Sequence, residues 1–263
     1  MDVGSSPTGV TTMMDKDTEL QYLAQIERQQ FERLSKKIVF ALDVSSRYEA
    51  DLLLCEIASS IGMVKIGLEA YISNGRSMLS LADAYSLPIF LDLKLHDIPT
   101  TVDRAVAAAI DRGVRYITVH CQQESKTLEK AVRRTEGSDT EIVGVSLLSS
   151  MTQRSLEQVY GAQDISLEVF NYHLITEAID AGIRSFVCSG SQIKQSEMKE
   201  FRSRYLTFFV PGIRMEETDD DQAHAITPKE AIANGADYLI IGRPIRDAKR
   251  RVETIRKITS QMS

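Results

Sequence analysis

The sequence predicts an α/β chain folded as a (β/α)8 TIM barrel with an N-terminal helical extension. Three observations predict it. Short apolar or β-branched runs recur eight times, segments of helical period lie between them, and 263 residues is a typical length for one such barrel. A doubly wound open sheet is the competing arrangement. It usually has fewer units, and no GxGxxG follows the first run.

Residues 1–16 are rich in Gly, Ser and Thr and are expected to be a disordered extension. The stretch DKDTELQYLAQIERQQFERLSKK (15–37) has helical period, with Leu20, Leu23, Phe31 and Leu34 near one face and Asp17 or Thr18 available as cap. This helix is expected to pack outside the main domain, which divides the chain into an extension, 1–37, and a single barrel, 38–263. The eight runs are KIVFALDV (37–44), GMVKIGL (62–68), LPIFLDLKL (87–95), RYITVHC (115–121), EIVGVSLL (141–148), RSFVCSG (184–190), LTFFVPGI (206–213) and DYLIIGRPI (237–245). Their length and β-branched content suit strands buried on both faces. Between them, SRYEADLLLCEIASSI (46–61), TTVDRAVAAAIDRG (100–113), SLEVFNYHLITEAIDAG (166–182) and TPKEAIANGAD (227–237) read as helices. Gly113, Gly182 and Gly235 stand where glycines end helices.

Composition bounds the function. With 43% apolar and 26% charged residues the chain is an ordinary globular one. A net charge of −6 disfavours a general nucleic-acid partner, and an anionic substrate would need a local basic site. Cys55, Cys121 and Cys188 have no metal-ligand spacing and lie in or beside apolar runs, which reads as buried free thiols in a reducing cytoplasm. The N-terminal stretch lacks the basic and apolar segments of a secretion signal, and no run approaches the ~20 apolar residues of a membrane span.

Catalytic residues of such barrels sit at the C-terminal ends of the strands. Those ends carry Asp43, Lys65, Asp92 and Lys94 with Asp97 just beyond, His120, Ser149 and Ser150, Arg214, and Gly242 with Arg243. The third strand ends in FLDLKLHDIPTT (90–101), a D-x-K-x-x-D pattern. Asp92 and Lys94 are two apart, so both face one side; with Leu91, Leu93 and Leu95 turned to the helices, that side is the barrel interior. A charge there must be satisfied by its neighbour or by a ligand, so the pair is either a structural ion pair or a working site. Asp97 before Pro99 also suits an N-cap. Gly242 lets the backbone approach a ligand, and Arg243 after it offers a bidentate grip on phosphate, which barrels commonly bind after strands 7 and 8. The polar segment RMEETDDDQAHAIT (214–227) is either a mobile lid or a solvated loop. His96 and His120 lack metal-ligand spacing and read as packing or hydrogen-bonding residues.

Together ALDV, VKIG, FLDLKLHDIPTTV, VPGIR, DDQ and GADYLIIGRPI resemble the orotidine 5′-phosphate decarboxylase family, in order and spacing, from about Ile38 to Ile258. The resemblance implies a dimeric barrel that turns orotidine 5′-monophosphate into uridine 5′-monophosphate and CO₂ with neither metal nor organic cofactor. It implies that Asp43 holds ribose hydroxyls and that Lys65 bonds the ribose and the neighbouring carboxylate. Asp92, Lys94 and Asp97 would form the catalytic charge network, with Asp97, Ile98 and Thr101 entering the partner subunit's site. Ser149 would contact the pyrimidine, Pro211 and Arg214 would line its site, and Gln222, Gly242 and Arg243 would grip the phosphate. A relative, 3-keto-L-gulonate 6-phosphate decarboxylase, shares D-x-K-x-x-D but is a Mg²⁺ enzyme with Glu where this chain has Lys65, and a lysine there would repel the metal.

Overall fold

The computed structural model describes residues 16–161, 163–195, 198, 200–201, 205–215 and 225–263. Eight parallel strands close into a barrel in sequence order: β1 (Ile38–Ala41), β2 (Met63–Gly67), β3 (Ile89–Leu95), β4 (Tyr116–His120), β5 (Glu141–Val145), β6 (Ser185–Val187), β7 (Thr207–Val210) and β8 (Tyr238–Ile241). β8 pairs back onto β1, Leu239 opposite Ile38 and Ile240 opposite Val39. The helices are α1 (Lys16–Ser35), α2 (Arg47–Ile57), α3 (Leu68–Asn74), α4 (Arg76–Ala84), α5 (Pro99–Ile110), α6 (Ser125–Thr135), α7 (Gln153–Tyr160), α8 (Leu167–Asp180), α9 (Gly190–Ile193), α10 (Pro228–Ala233), α11 (Arg243–Arg246) and α12 (Arg251–Gln261).

Strand alternation sorts the apolar residues into two cores. Ile38, Phe40, Val64, Ile66, Ile89 and Leu91 face outward and pack under the helices, while Val39, Ala41, Met63, Phe90, Tyr116, Val143, Phe209 and Ile240 fill the barrel. Aromatic rings plug the interior: Phe209 meets Phe90 edge-on at 4.9 Å and stacks on Tyr238 at 4.7 Å between centroids. The next inward position on each strand therefore lies above this plug, at the C-terminal mouth.

Local signals set the helix ends. Ser46 accepts the Glu49 amide at the start of α2, and Thr227 with Glu230 forms a reciprocal capping box on α10. Gly113, Gly182 and Gly235 have φ of 66°, 100° and 94°. In each case the residue after the glycine donates to a carbonyl five back, as a Schellman motif requires. Between α5 and α6, Arg134 forks onto the buried Asp103 at 2.7 and 2.8 Å, and this guanidinium holds the Asp103 carboxyl below the usual carboxylate range.

Three expectations are corrected. α1 already includes Asp17 and Thr18, so neither stands before its first turn. Of its apolar face, Leu20 and Leu23 are exposed; only the C-terminal part docks, with Leu34 buried and Arg256 of α12 lying 4.4 Å over the Phe31 ring. Cys55 is exposed, because α2 buries Ala50, Leu53, Leu54 and Ile57 and turns Cys55 away from that stripe. Cys121 and Cys188 are buried, and burial pushes the Cys121 thiol up to about 12. The expected disorder of residues 1–16 falls almost wholly outside the described residues. Among the described residues, no helix is long and apolar enough to cross a membrane.

The approach to β2 is tight. Gly62 donates its amide to the Ile38 carbonyl at 2.9 Å, and a Cβ there would overlap the Lys36 carbonyl. Gly62→Ala is expected to lower stability by about 1–3 kcal/mol through overpacking. Urea unfolding checks this; an unchanged midpoint would mean that the Lys36 segment moves aside freely.

Candidate active site

The inward positions above the aromatic plug bring charge together. Asp43 follows β1, Lys65 lies on β2, and Asp92 and Lys94 lie on β3. Lys65 Nζ is 3.0 Å from Asp43 Oδ1 and 3.7 Å from Asp92 Oδ2, and Lys94 Nζ is 2.8 Å from Asp92 Oδ1. The order is minus, plus, minus, plus. The Lys65 and Asp92 side chains are only 10% and 13% exposed, so each depends on its neighbours for compensation; Asp43, at 45%, also keeps water.

The backbone makes room for this array. A Cβ on Gly67 would stand 3.1 Å from both Asp43 Oδ1 and Lys65 Nζ, so a side chain there would crowd the ion pair. Arg246 of α11 donates to the Asp43 carbonyl at 3.0 Å and ties the end of β1 to the loop after β8. On β3 the register breaks. Leu91 pairs with Ile117 but Leu95 with Val119, so four residues of β3 advance against two of β4. Within that bulge Lys94 takes φ of 50°, a left-handed conformation rare for a lysine.

Lys65, Asp92, Lys94, Ser149 and Pro211 line one cavity of about 230 Å³. The rest of its lining is Val145, Leu147, Leu148, Val187, Ser189 and Ile240. Gly242 closes on Asp43 from the β8 side, where a Cβ would come 3.9 Å from Asp43 Oδ2. Arg243 beyond it is exposed, and among the described residues it forms no ion pair. Arg214 is half-buried in the loop after β7 and donates to the Ile213 carbonyl at 3.0 Å. The two ends of that loop are pinned together, Arg214 N to Ile226 O at 3.0 Å and Ile226 N to Gly212 O at 3.2 Å. Gln222 and most of the segment read as a lid or loop lie outside the described residues.

Asp97, Ile98 and Thr101 do not line the cavity of their own chain. They are exposed at its rim, with Ile98 67% exposed. Asp97 is not the N-cap: Ile98 holds that position before Pro99, and Asp97 Oδ1 accepts the Ile98 amide at 2.7 Å. Its carboxylate thus remains outside the helix. His96 and His120 approach at 5.5 Å between rings. Burial above all, then His96 and Lys94, lowers the His120 pKa and keeps that ring neutral at neutral pH.

Reading only charged strand ends missed two sets of residues. The apolar wall of Val145, Val187 and Ile240 occupies the same inward period as the charges and was legible by that signal. Thr118 on β4, fully buried, was not: its hydroxyl accepts the Lys94 amide at 2.8 Å and lies 3.1 Å from Asp92 Oδ1.

Comparison with known proteins shows the family and the fold. The family model described as "Orotidine 5′-phosphate decarboxylase / HUMPS family" matches residues 36–258. The chain is 34% identical over 226 residues to the orotidine 5′-phosphate decarboxylase of Wolbachia pipientis subsp. Culex pipiens, covering 86% of this chain and 98% of that one. It is 35% identical over 231 residues to the protein of the same name from Ehrlichia chaffeensis, covering 86% and 96%. In fold it is similar to the crystal structure of orotidine 5′-phosphate decarboxylase from Lactobacillus acidophilus, with TM-score 0.71 and 22% identity over 86% of this chain and 98% of that one.

The ion array has an unequal energy distribution. Asp92→Asn leaves two largely buried ammonium groups with too little negative charge and is expected to destabilise the fold by about 3 kcal/mol. Asp43→Asn breaks a half-exposed pair and is expected to cost less than about 1 kcal/mol. Urea unfolding of both variants measures the difference; equal losses would refute Asp92 as the centre of the array.

Proposed function

The chain belongs to the orotidine 5′-phosphate decarboxylase / HUMPS family, and we propose that it converts orotidine 5′-monophosphate to uridine 5′-monophosphate and CO₂, the last step of de novo UMP synthesis. One observation carries the reading: an ammonium group, Lys94, is held by Asp92 at 2.8 Å in a cavity whose remaining lining is mostly aliphatic.

The chemistry explains the need for that arrangement. When the bond from C6 to the carboxylate breaks, its electrons stay on C6 in the ring plane. They cannot delocalise into the ring π system, so the protein must stabilise the anion electrostatically. A lysine ammonium at ~3 Å, in an effective dielectric of ~20, contributes about 5 kcal/mol. Lys94 then gives its proton to C6 and recovers one from solvent. Demanding enzymes lower barriers by up to roughly 23 kcal/mol, so Lys94 alone is insufficient. Binding of the phosphate, away from the reacting carbon, supplies more of the difference when it is used to close the site.

The remaining residues take roles suited to their positions. Asp43 and Lys65, hydrogen-bonded to one another, face the ribose hydroxyls. Ser149 and Pro211 contact the pyrimidine, with Arg214 beside them. The exposed Arg243, the Gly242 backbone and Gln222 bind the phosphate. Asp97, Ile98 and Thr101 serve the partner subunit's site in a cytoplasmic homodimer. Supporting this are the absence of these three from their own cavity lining and the exposed apolar side chain of Ile98 at the rim.

Lys94→Ala is expected to lower kcat for orotidine 5′-monophosphate by many decades while the fold survives. The assay follows loss of substrate absorbance with EDTA present. No turnover by the parent chain would refute the activity, and near-normal kcat in the folded variant would refute the role of Lys94. The shared site has its own test. Lys94→Ala and Asp97→Ala, each inactive alone, are unfolded and refolded together in equal amounts. Random pairing makes half of the dimers mixed, and in each mixed dimer one site collects both defects and the other neither. Activity near a quarter of the parent's is therefore expected for a two-fold symmetric dimer; activity no higher than that of the separate variants would mean that Asp97 serves its own chain.

A further inference from the structure

We propose that Thr118, on β4, is a positioning residue that holds Lys94 in its reactive place. The inference rests on the decarboxylase reading and deepens it. Thr118 is fully buried and faces the barrel interior, between Tyr116 and His120 on the same side of its strand. Its single hydroxyl makes two functional connections. It accepts the main-chain amide of Lys94 at 2.8 Å, and it donates to Asp92 Oδ1 at 3.1 Å, with the Leu91 carbonyl a poorer acceptor at 3.5 Å.

The bulge explains why a side chain is needed here. Between Leu91 and Leu95 the β3–β4 ladder skips, so Lys94 has no paired residue on β4. Its amide would be left without a main-chain acceptor, in a backbone already turned to φ of 50°. The Thr118 hydroxyl stands in for the missing carbonyl. The same hydroxyl orients Asp92 Oδ1, the oxygen that holds Lys94 Nζ at 2.8 Å. Thr118 therefore controls both the backbone from which the lysine springs and the carboxylate that aims its ammonium group. Among the described residues its hydroxyl bonds to Lys94, Asp92 and Leu91 and not to Asp43, Lys65 or Arg243, so substrate binding is not routed directly through it.

Three variants separate the hydroxyl from packing. Thr118→Val keeps the volume and loses both hydrogen bonds, Thr118→Ser keeps the hydroxyl and loses a methyl, and Thr118→Ala is the second hydroxyl-free variant if valine does not fold. In the hydroxyl-free variants kcat for orotidine 5′-monophosphate should fall roughly 10- to 100-fold, as for loss of a hydrogen bond to a charged group, with KM changed far less. Thr118→Ser should restore kcat while melting lower than the parent. Hydrogen exchange at the Lys94 amide should be faster in Thr118→Val or Thr118→Ala than in the parent and Thr118→Ser. Wild-type kcat in a hydroxyl-free variant, a loss confined to KM, equal losses in serine and valine, or unchanged exchange at Lys94 would each overturn the proposal. The exchange measurement needs no turnover. A parent chain that fails to decarboxylate the substrate thus sinks the activity, while the exchange result still decides whether Thr118 holds the bulge.

Discussion

The site depends on one carboxylate placed between two ammonium groups. Asp92 meets Lys94 through Oδ1 and Lys65 through Oδ2. Remove its charge, and two lysines point into one narrow mouth where, among the described residues, Asp43 is the remaining counter-ion and is paired with Lys65. Asp43, Lys65, Asp92 and Lys94 are held to one another within a single chain, so little rearrangement of these four is needed when charge develops on a reacting carbon. That readiness has a structural consequence: the ions must be fixed by neighbours, because water reaches Asp92 poorly.

The neighbours come from the barrel's own geometry. Period-two alternation stacks Met63 below Lys65 and Phe90 below Asp92, so each charge stands directly above a plug residue. β3 then departs from regular geometry at Lys94. A left-handed lysine costs on the order of 1–2 kcal/mol. That strain is localised at the residue that reaches into the cavity, and the rest of the barrel over-determines it.

Much of this was legible in the sequence, for physical reasons. The eight strands announced themselves because strands buried on both faces must be apolar throughout, and the few charges at their ends were therefore conspicuous. The shared inward side of Asp92 and Lys94 followed from their two-residue spacing, and both line the cavity. Other features depend on tertiary partners. The apolar face of α1 shows what could be buried, not that Leu20 and Leu23 would remain exposed. Asp97 satisfied the preference for a cap, yet the helix took Ile98 there and Pro99 after it, which leaves the carboxylate outside the helix. Thr118 looked like any β-branched residue in a strand. Its role comes from a register shift between β3 and β4, and no local pattern in either strand encodes that shift.

The cavity is also divided by polarity. Its charges come from β2 and β3, while Val145, Val187, Pro211 and Ile240 come from β5 to β8 and face them with no ionisable group. This division follows the distribution of sequence: the strands that end in Asp or Lys lie side by side, and so do those that end in aliphatic residues or proline. The apolar half does physical work on the charged half. At ~3 Å a unit charge pair is worth about 1 kcal/mol in bulk water but about 5 kcal/mol at an effective dielectric of ~20. The aliphatic lining limits the water that screens Lys94, whose side chain is 30% exposed. The same lining would offer a pyrimidine ring a surface to pack on, with Ser149 and Ser189 as the hydroxyl groups among its aliphatic side chains. Lys94 and the valines across from it therefore act as one device: the ammonium supplies the charge, and the aliphatic side chains determine how strongly that charge is felt.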